Sequence, residues 1–294
     1  PERLRSLMVG LWTAALPLGS ALGIVAGGTI ATHYGWRHAF GIVALPGFIV
    51  AILFFFVRDY ETVSLPKKAG ASPDRPETLK TRDILRTFSR TPSLLLTYAA
   101  FAGSMFLTAA YLSWLPTFFH RVDHLSMENA ALKGSLVMLL SIVGFPLGGY
   151  LADRWQKKRT NGRLLFPALS SLATAVVFFT AFYALRGPLQ YPLILLGGIL
   201  ASAFSPAAIA VTQDVVHPGL RATSYSFCVV FQNLLGSSMG PLFVGALSDR
   251  YDIQTALMVV PVFSLIASVL YLCAYFFYAR DLEKVEKIPL RIVS

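Results

Sequence analysis

Asp153 is the acid with the most telling surroundings. Four cations follow it within six residues: Arg154, Lys157, Lys158 and Arg159. A carboxylate that closes an apolar segment can accept backbone N–H groups at the start of a neighbouring helix, where partial positive charge favours an anion. Such a contact forms in one arrangement of the helices and breaks in another, so it can act as a latch. The plainer alternative is a charge that only reaches out to water. Asp249-Arg250 repeats the pattern and reads as a surface pair. Two adjacent amides, Gln232 and Asn233, sit in the middle of an apolar block. They suit either contact with a small molecule or a hydrogen bond between helices, and adjacent helical positions point about 100° apart, so one of the two at most faces a given cavity. Phe101, Met105 and Thr108 recur at i, i+4, i+7, with Tyr98 and Tyr111 alongside, and Phe204 and Ser205 precede Pro206. Aromatic stripes of this kind serve packing more often than ligand contact.

Other chemistry is missing from the same depth. No nucleophile with a base, paired carboxylates or metal-ligand set falls inside an apolar block, so neither catalysis nor a bound metal or cofactor is expected. Cys228 and Cys273 lie deep in apolar segments and imply no disulfide framework. All 15 acids, with His33, His38, His120, His124 and His217, fall in loops or near segment ends.

The elements that carry these residues are set by composition. Charged residues are 14% of the 294-residue chain and hydrophobic ones 55%, against roughly 25% charged in a soluble domain. A bilayer core about 30 Å thick needs roughly 20 apolar residues per helix, and eight blocks qualify: 7–31, 39–57, 92–115, 130–151, 164–185, 191–211, 223–247 and 256–278. Prolines inside them (Pro17, Pro46, Pro146, Pro206, Pro241 and Pro261) are tolerated in membrane helices, where neighbours satisfy the freed carbonyls. The net charge of +10 does not signal nucleic acid, because the cations sit between the apolar blocks. With the first helix starting in the cytosol, twenty of the 25 Lys and Arg fall on the inner side and five on the outer. That asymmetry predicts an integral membrane protein with both ends cytosolic. Residues 64–77 read as a Pro- and Ser-rich linker. Residues 78–90 read as a short amphipathic helix with Leu79, Ile84, Leu85 and Phe88 on the lipid surface and Lys80, Arg82, Arg86 and Arg90 among headgroups, or as a solvated connector.

The first and seventh blocks repeat each other. Leu18-Gly19-Ser20-Ala21-Leu22-Gly23 aligns with Leu235-Gly236-Ser237-Ser238-Met239-Gly240, and the match continues through Tyr34 over Tyr251. The Pro1–Arg5 start also parallels the Pro218–Arg221 turn. Parallel repeats of this sort build proteins from two related helix bundles. The repeat predicts about 130 further residues, four helices' worth, ahead of Pro1.

Gly149-Tyr150-Leu151-Ala152-Asp153-Arg154-Trp155-Gln156-Lys157-Lys158-Arg159 resembles the G-x-L-A-D-R-x-x-x-K/R-R loop motif of the major facilitator superfamily. The run from Gly19 to Gly35-Trp36-Arg37-His38-Ala39-Phe40 resembles that family's fifth helix and its exit. The resemblance spans the chain. It implies an all-α polytopic membrane protein, a major facilitator-type bundle lacking its first four helices. Residues 1–58 are then the end of the first bundle, 59–91 the cytosolic loop between bundles, 92–280 the six-helix second bundle and 281–294 a cytosolic tail. The resemblance further implies that Asp153 meets the fifth helix near Arg5 and Ser6, with Arg5, Arg154 and Arg159 completing the latch. It puts the helices of Phe101 and Phe204 on the central cavity, which makes Tyr98, Phe101, Met105, Thr108, Tyr111, Phe204, Ser205, Gln232 and Asn233 candidate solute contacts. Gly19, Gly23 and Gly27, and likewise Gly236 and Gly240, form small-residue faces that let helices approach closely. Proton antiporters of the family often carry Gly-Pro where this chain has Gly23-Ile24, which weighs against antiport; Gly240-Pro241 carries the pair instead.

The implied function is secondary active transport of a small organic or amphipathic solute by alternating access, coupled to an ion such as the proton. The implied partners are that solute and the lipid bilayer of a plasma or inner membrane, with no nucleic acid and a monomeric protein. Coupling residues belong in the helices ahead of Pro1. An aromatic, uncharged cavity half suits an amphipathic solute better than a sugar, and the Leu220-Arg221-Ala222 turn resembles the spinster-like branch, which includes lipid transporters. A non-transporting sensor or scaffold of the same fold, or a membrane-embedded enzyme, are the alternatives.

Overall fold

A computed structural model of the chain describes residues 4–57, 81–159, 161–185 and 187–285. The linker at 64–77, Arg58, Leu79, Lys80 and the tail from 286 lie outside the described residues. The chain is all-α. It forms α1 (Arg5–Tyr34), α2 (Trp36–Phe54), the short α3 (Thr81–Ser89), α4 (Pro92–Arg121), α5 (Met127–Gln156) and α6 (Gly162–Phe179). There follow α7 (Gln190–Ala203), α8 (Ser205–Asp214), α9 (Arg221–Phe231), α10 (Met239–Arg250), α11 (Ile253–Val259) and α12 (Pro261–Glu283). The later helices join into longer rods, so the six from Pro92 onward are each long and apolar enough to cross a membrane. With α1 and α2 the described residues hold eight rods.

The joints have local causes. Pro206 and Pro261 each sit one or two residues into a helix, where the absent N–H breaks no hydrogen bond. The wide turn at Gln232–Ser237 ends four residues before Pro241, whose ring cannot follow Ser237 in α-helical register. A second wide turn, Thr180–Ala184, finishes the α6 rod.

Asp252 starts the last rod by a cap. Its carboxylate accepts the Thr255 N–H at 2.8 Å and the Thr255 hydroxyl at 2.6 Å. These bonds hold its pKa below the ordinary aspartate value, since they favour the charged form. A lowered folded-state pKa gives stability that is present above the unfolded value and fades as pH falls through the folded one. Asp252→Ala is expected to cost about 1 kcal/mol, read by detergent unfolding at neutral pH, and the difference from the native protein should shrink on acidification.

Two large clusters fill the bundle among the described residues, beside a small third of Ala152, Phe166, Ala203 and Ala207. One, nearer the Asp153 end, centres on Leu94, Tyr98, Phe101, Phe204, Tyr271 and Tyr278. The other holds Tyr111, Leu115, Phe118, Phe178, Phe182 and Leu257, with the Tyr111 and Phe178 rings stacked at 4.1 Å. Outward faces stay apolar: Leu242 is 65% and Phe276 77% exposed. Such surface is what a lipid-facing wall presents.

One expectation changes. Phe88 of α3 is 3% exposed. It packs edge-to-face on Phe227 at 5.5 Å, with Ile84 beside it, so this face of α3 meets the protein, whereas Leu85 stays exposed. A half-apolar helix buries its stripe wherever apolar surface is available, and α9 supplies it. The acids sit at helix ends as expected, and Asp153, Asp214 and Asp281 among them are buried.

Candidate functional site

The ends of five elements converge around Asp153. It closes α5 and is 2% exposed. Its Oδ2 accepts the backbone N–H of Leu7, in the first turn of α1, at 2.9 Å. Its Oδ1 accepts Arg163 Nη2 at 2.9 Å and Nε at 3.2 Å. Arg163, in the first turn of α6, donates through Nη1 to Asp214 Oδ2 at 2.6 Å. Asp214 ends α8; Arg5 of α1 also pairs with it, and the Tyr278 hydroxyl of α12 donates to it at 3.1 Å. Two arginines and two aspartates balance, which is what makes burial of Asp153, Arg163 and Asp214 beside the half-buried Arg5 tolerable. Arg163 is planar and forked, so one side chain can bridge two carboxylates. Its backbone N–H donates to Gln156 Oε1 at 3.0 Å, which ties the α5 end to the α6 start.

Backbones close in at the same place. A Cβ on Gly149 would overlap the Ser6 carbonyl, and one on Gly10 would overlap Phe145. Gly148 faces Ala203 of α7 instead. Thus α1 reaches the six-rod bundle through α5 and α8, by close backbone contact and by two polar links, and through α9, where Trp12 packs edge-to-face on Tyr225 at 6.3 Å.

The latch residues named from the sequence divide. Asp153 and Arg5 belong to this cluster, but Arg5 meets Asp214, and Arg154 and Arg159 are exposed. Arg163, Asp214 and Tyr278 went unnamed. One signal pointed to the first two. The alternation of the spans puts the start of α6 and the end of α8 at the same face as Asp153.

An apolar cavity of about 240 Å³ opens farther along, between α1, α4, α5, α6 and α7. Met105, Thr108 and Tyr111 line it with Pro17, Met138, Ser141, Phe145 and Ser202. Its hydroxyls are already engaged. Thr108 donates to Ser104 O at 3.0 Å, Ser141 to Met138 O at 2.6 Å, Ser202 to Ile199 O at 2.9 Å and Tyr111 to Leu257 O at 2.9 Å. The walls therefore offer a ligand mainly dispersion and hydrophobic contact.

The remaining candidates lie elsewhere. Tyr98, Phe101, Phe204 and Ser205 are buried in packing, with Tyr98 donating to Ser224 O at 2.8 Å. Gln232 and Asn233 begin the wide turn before α10. Asn233 turns back to Val229 O at 2.8 Å, and the Gln232 side chain has no hydrogen-bond partner among the described residues. Gly19 and Gly23 face open space, while Gly236 and Gly240 lie against the α4 backbone at Ala102 and Phe106. The packing of Gly27 lies outside the described residues.

Comparison with known proteins agrees with this architecture. The family model described as Major Facilitator Superfamily matches residues 1–237. Protein spinster homolog 1 of Bos taurus is 27% identical over 84% of this chain and 49% of its own length. A probable sphingolipid transporter, spinster homolog 1 of Arabidopsis thaliana, is 28% identical over 85% of this chain and 55% of its own. An MFS-type efflux pump of Mycolicibacterium smegmatis is 27% identical over 96% of this chain and 66% of its own. The chain thus spans about half the length of the spinster relatives. A bacterial homologue of the human lysosomal transporter spinster, solved inward-facing and unoccupied, superposes with a TM-score of 0.63 at 20% identity, over 97% of this chain and 70% of that one. The outward structure of the transporter FucP gives 0.67 at 15% identity, over 96% and 69%; at these identities the likeness is one of fold. With the family model covering most of the chain and the rods arranged as in these structures, this all-α integral membrane protein belongs to the Major Facilitator Superfamily.

Proposed function

We propose that the whole protein is a secondary active transporter of a small organic or amphipathic solute, working by alternating access and coupled to the proton. Residues 1–58 close the first helix bundle and 92–280 form the second. Both chain ends lie in the cytosol, and the protein acts as a monomer in a plasma or inner membrane. Membership of this family removes the enzyme reading.

The observation that carries the proposal is the pairing of the first half of α1 with the bundle, as far as Pro17, and its absence at the two glycines beyond that are described. Leu7 N–H and Arg5 hold Asp153 and Asp214 there, whereas Gly19 and Gly23, farther along α1, face open space. Alternating access requires two helix groups that touch at one end and part at the other. In this reading Asp153, Asp214 and Arg5 are the latch, and Arg163 stays with the second bundle as the fixed counter-charge. The apolar cavity beside Met105, Thr108 and Tyr111 takes the hydrophobic part of the solute.

The test is uptake by the full-length protein in proteoliposomes under an imposed pH gradient. Organic solutes that carry an alkyl or aromatic portion should enter, and collapsing the gradient should stop accumulation. Met138→Trp, which fills the cavity, should weaken apparent affinity about 4- to 15-fold if one or two methylene groups lose their burial. Strict selectivity for hexoses would overturn the solute class; no gradient-dependent uptake of any solute would favour the scaffold reading.

A further inference from the structure

A second pocket, of about 200 Å³, sits at the turn between α5 and α6, lined by Trp155, Lys158, Arg159, Gly162 and Leu165. It is separate from the apolar cavity and plays no part in the latch. Lys158 and Arg159 are exposed, and neither side chain has an ion-pair or hydrogen-bond partner among the described residues. No acid lines the pocket. Asp153, the nearest acid in sequence, is buried and committed to Arg163 and Leu7. The Trp155 ring is fixed edge-to-face on Phe166 at 5.6 Å, and its indole N–H has no acceptor among the described residues. The start of α6 adds no donors, since Arg163 N–H is taken by Gln156, Leu164 and Leu165 N–H by Asn161 O, and Gly162 N–H by Arg159 O.

The pocket therefore presents two unneutralised cations above an apolar floor of Trp155 and Leu165. Two cations suit a phosphate, and the indole and leucine suit the hydrocarbon next to it. A Trp with one wet and one apolar side is characteristic of the membrane–water boundary. Placement at the end of two membrane-spanning rods makes a lipid the available source of both features. We propose that this pocket binds the phosphate of an anionic phospholipid, with the glycerol and upper acyl chain lying on Trp155 and Leu165. Gly162 is required because a Cβ there would overlap the Trp155 carbonyl carbon and displace the floor.

The experiment uses the full-length protein in detergent, presented with phosphatidylglycerol, phosphatidylcholine or glycerol 3-phosphate, and reads retained ligand by native mass spectrometry. Phosphatidylglycerol should be retained and the other two should not. The double variant Lys158→Ala/Arg159→Ala should bind phosphatidylglycerol about 10- to 30-fold more weakly, the effect of two cations near an anionic surface. Arg154→Ala/Lys157→Ala removes the same charge outside the pocket lining and should leave binding within about twofold. Equal losses in both doubles would overturn the pocket in favour of general surface charge. Binding of glycerol 3-phosphate as tight as that of the lipid would overturn the lipid as ligand. Trp155→Leu, which keeps both cations, should lower retention of phosphatidylglycerol; unchanged retention would overturn the role of the apolar floor.

Discussion

Arg163→Ala should cost the folded protein about 3–5 kcal/mol, the usual effect of deleting one member of a buried ion cluster. The side chain donates to both Asp153 and Asp214 and is 4% exposed. Its removal leaves two carboxylates in a site with little water. Leu7 N–H still holds Asp153, and Arg5 and the Tyr278 hydroxyl still hold Asp214, which is less than the native set. Equilibrium unfolding of the whole protein in mixed detergent would read the loss. A companion variant separates charge from packing: Arg163→Met with Asp153→Asn and Asp214→Asn has no buried charge left to compensate, and should recover most of the stability. Arg5 is 17% exposed at its side chain and can turn to water once Asp214 is neutral. If the triple variant is as unstable as Arg163→Ala alone, the cluster contributes through shape rather than charge.

The second large effect comes from two adjacent glycines that face different partners. A methyl group at Gly148 would overlap the Ala203 backbone, inside the six-rod bundle; one at Gly149 would overlap Ser6 and Leu7 of α1. Backbone cannot rotate aside as a side chain can, so Gly148→Ala should destabilise the bundle by about 1–3 kcal/mol. Gly149→Ala applies a similar strain to a contact that, in the transport reading, opens in every cycle. That variant should fold normally and shift the population toward the parted state. Ser6 is fully buried, so a Ser6→Cys reporter, in a Cys273→Ser background, reads the separation. Its labelling by a water-soluble maleimide should rise about tenfold in Gly149→Ala, since 1–3 kcal/mol spans roughly 5- to 150-fold in population. Unchanged labelling, or unfolding of the kind expected for Gly148→Ala, would mean that α1 and α5 form a permanent contact and that the latch lies elsewhere.

The rods themselves were legible in the sequence. Apolar blocks of spanning length follow from the thickness of hydrocarbon, and the chain has too few charges to cover a water-facing surface. The ends differ by a few residues, as at α4, which runs to Arg121 against an expected 115. Asp153 stood out because an acid beside four cations is a local pattern. Its partners did not, because Arg5 and Asp214 are 209 residues apart and Arg163 and Asp214 are 51 apart. Nothing periodic links such positions; which charges meet is decided by how the ends of tilted rods are staggered.

The glycines make the same distinction. Small residues at a spacing of four announce a face fit for close packing, and Gly236 and Gly240 find the α4 backbone while Gly19 and Gly23 find open space. Identical local spacing is compatible with either result, since it fixes the shape of one helix surface and leaves the neighbour open. Phe88 was likewise recognisably one face of an amphipathic helix, and only the position of Phe227 turned it toward protein. The sequence alone therefore determined that this is a bundle of membrane-spanning helices, their order along the chain, and the one acid set among cations. The tertiary structure decided which charges share a site, which glycines carry backbone contacts and where the cavities lie, because each depends on distances between segments far apart in the chain, and those distances arise only when the rods pack.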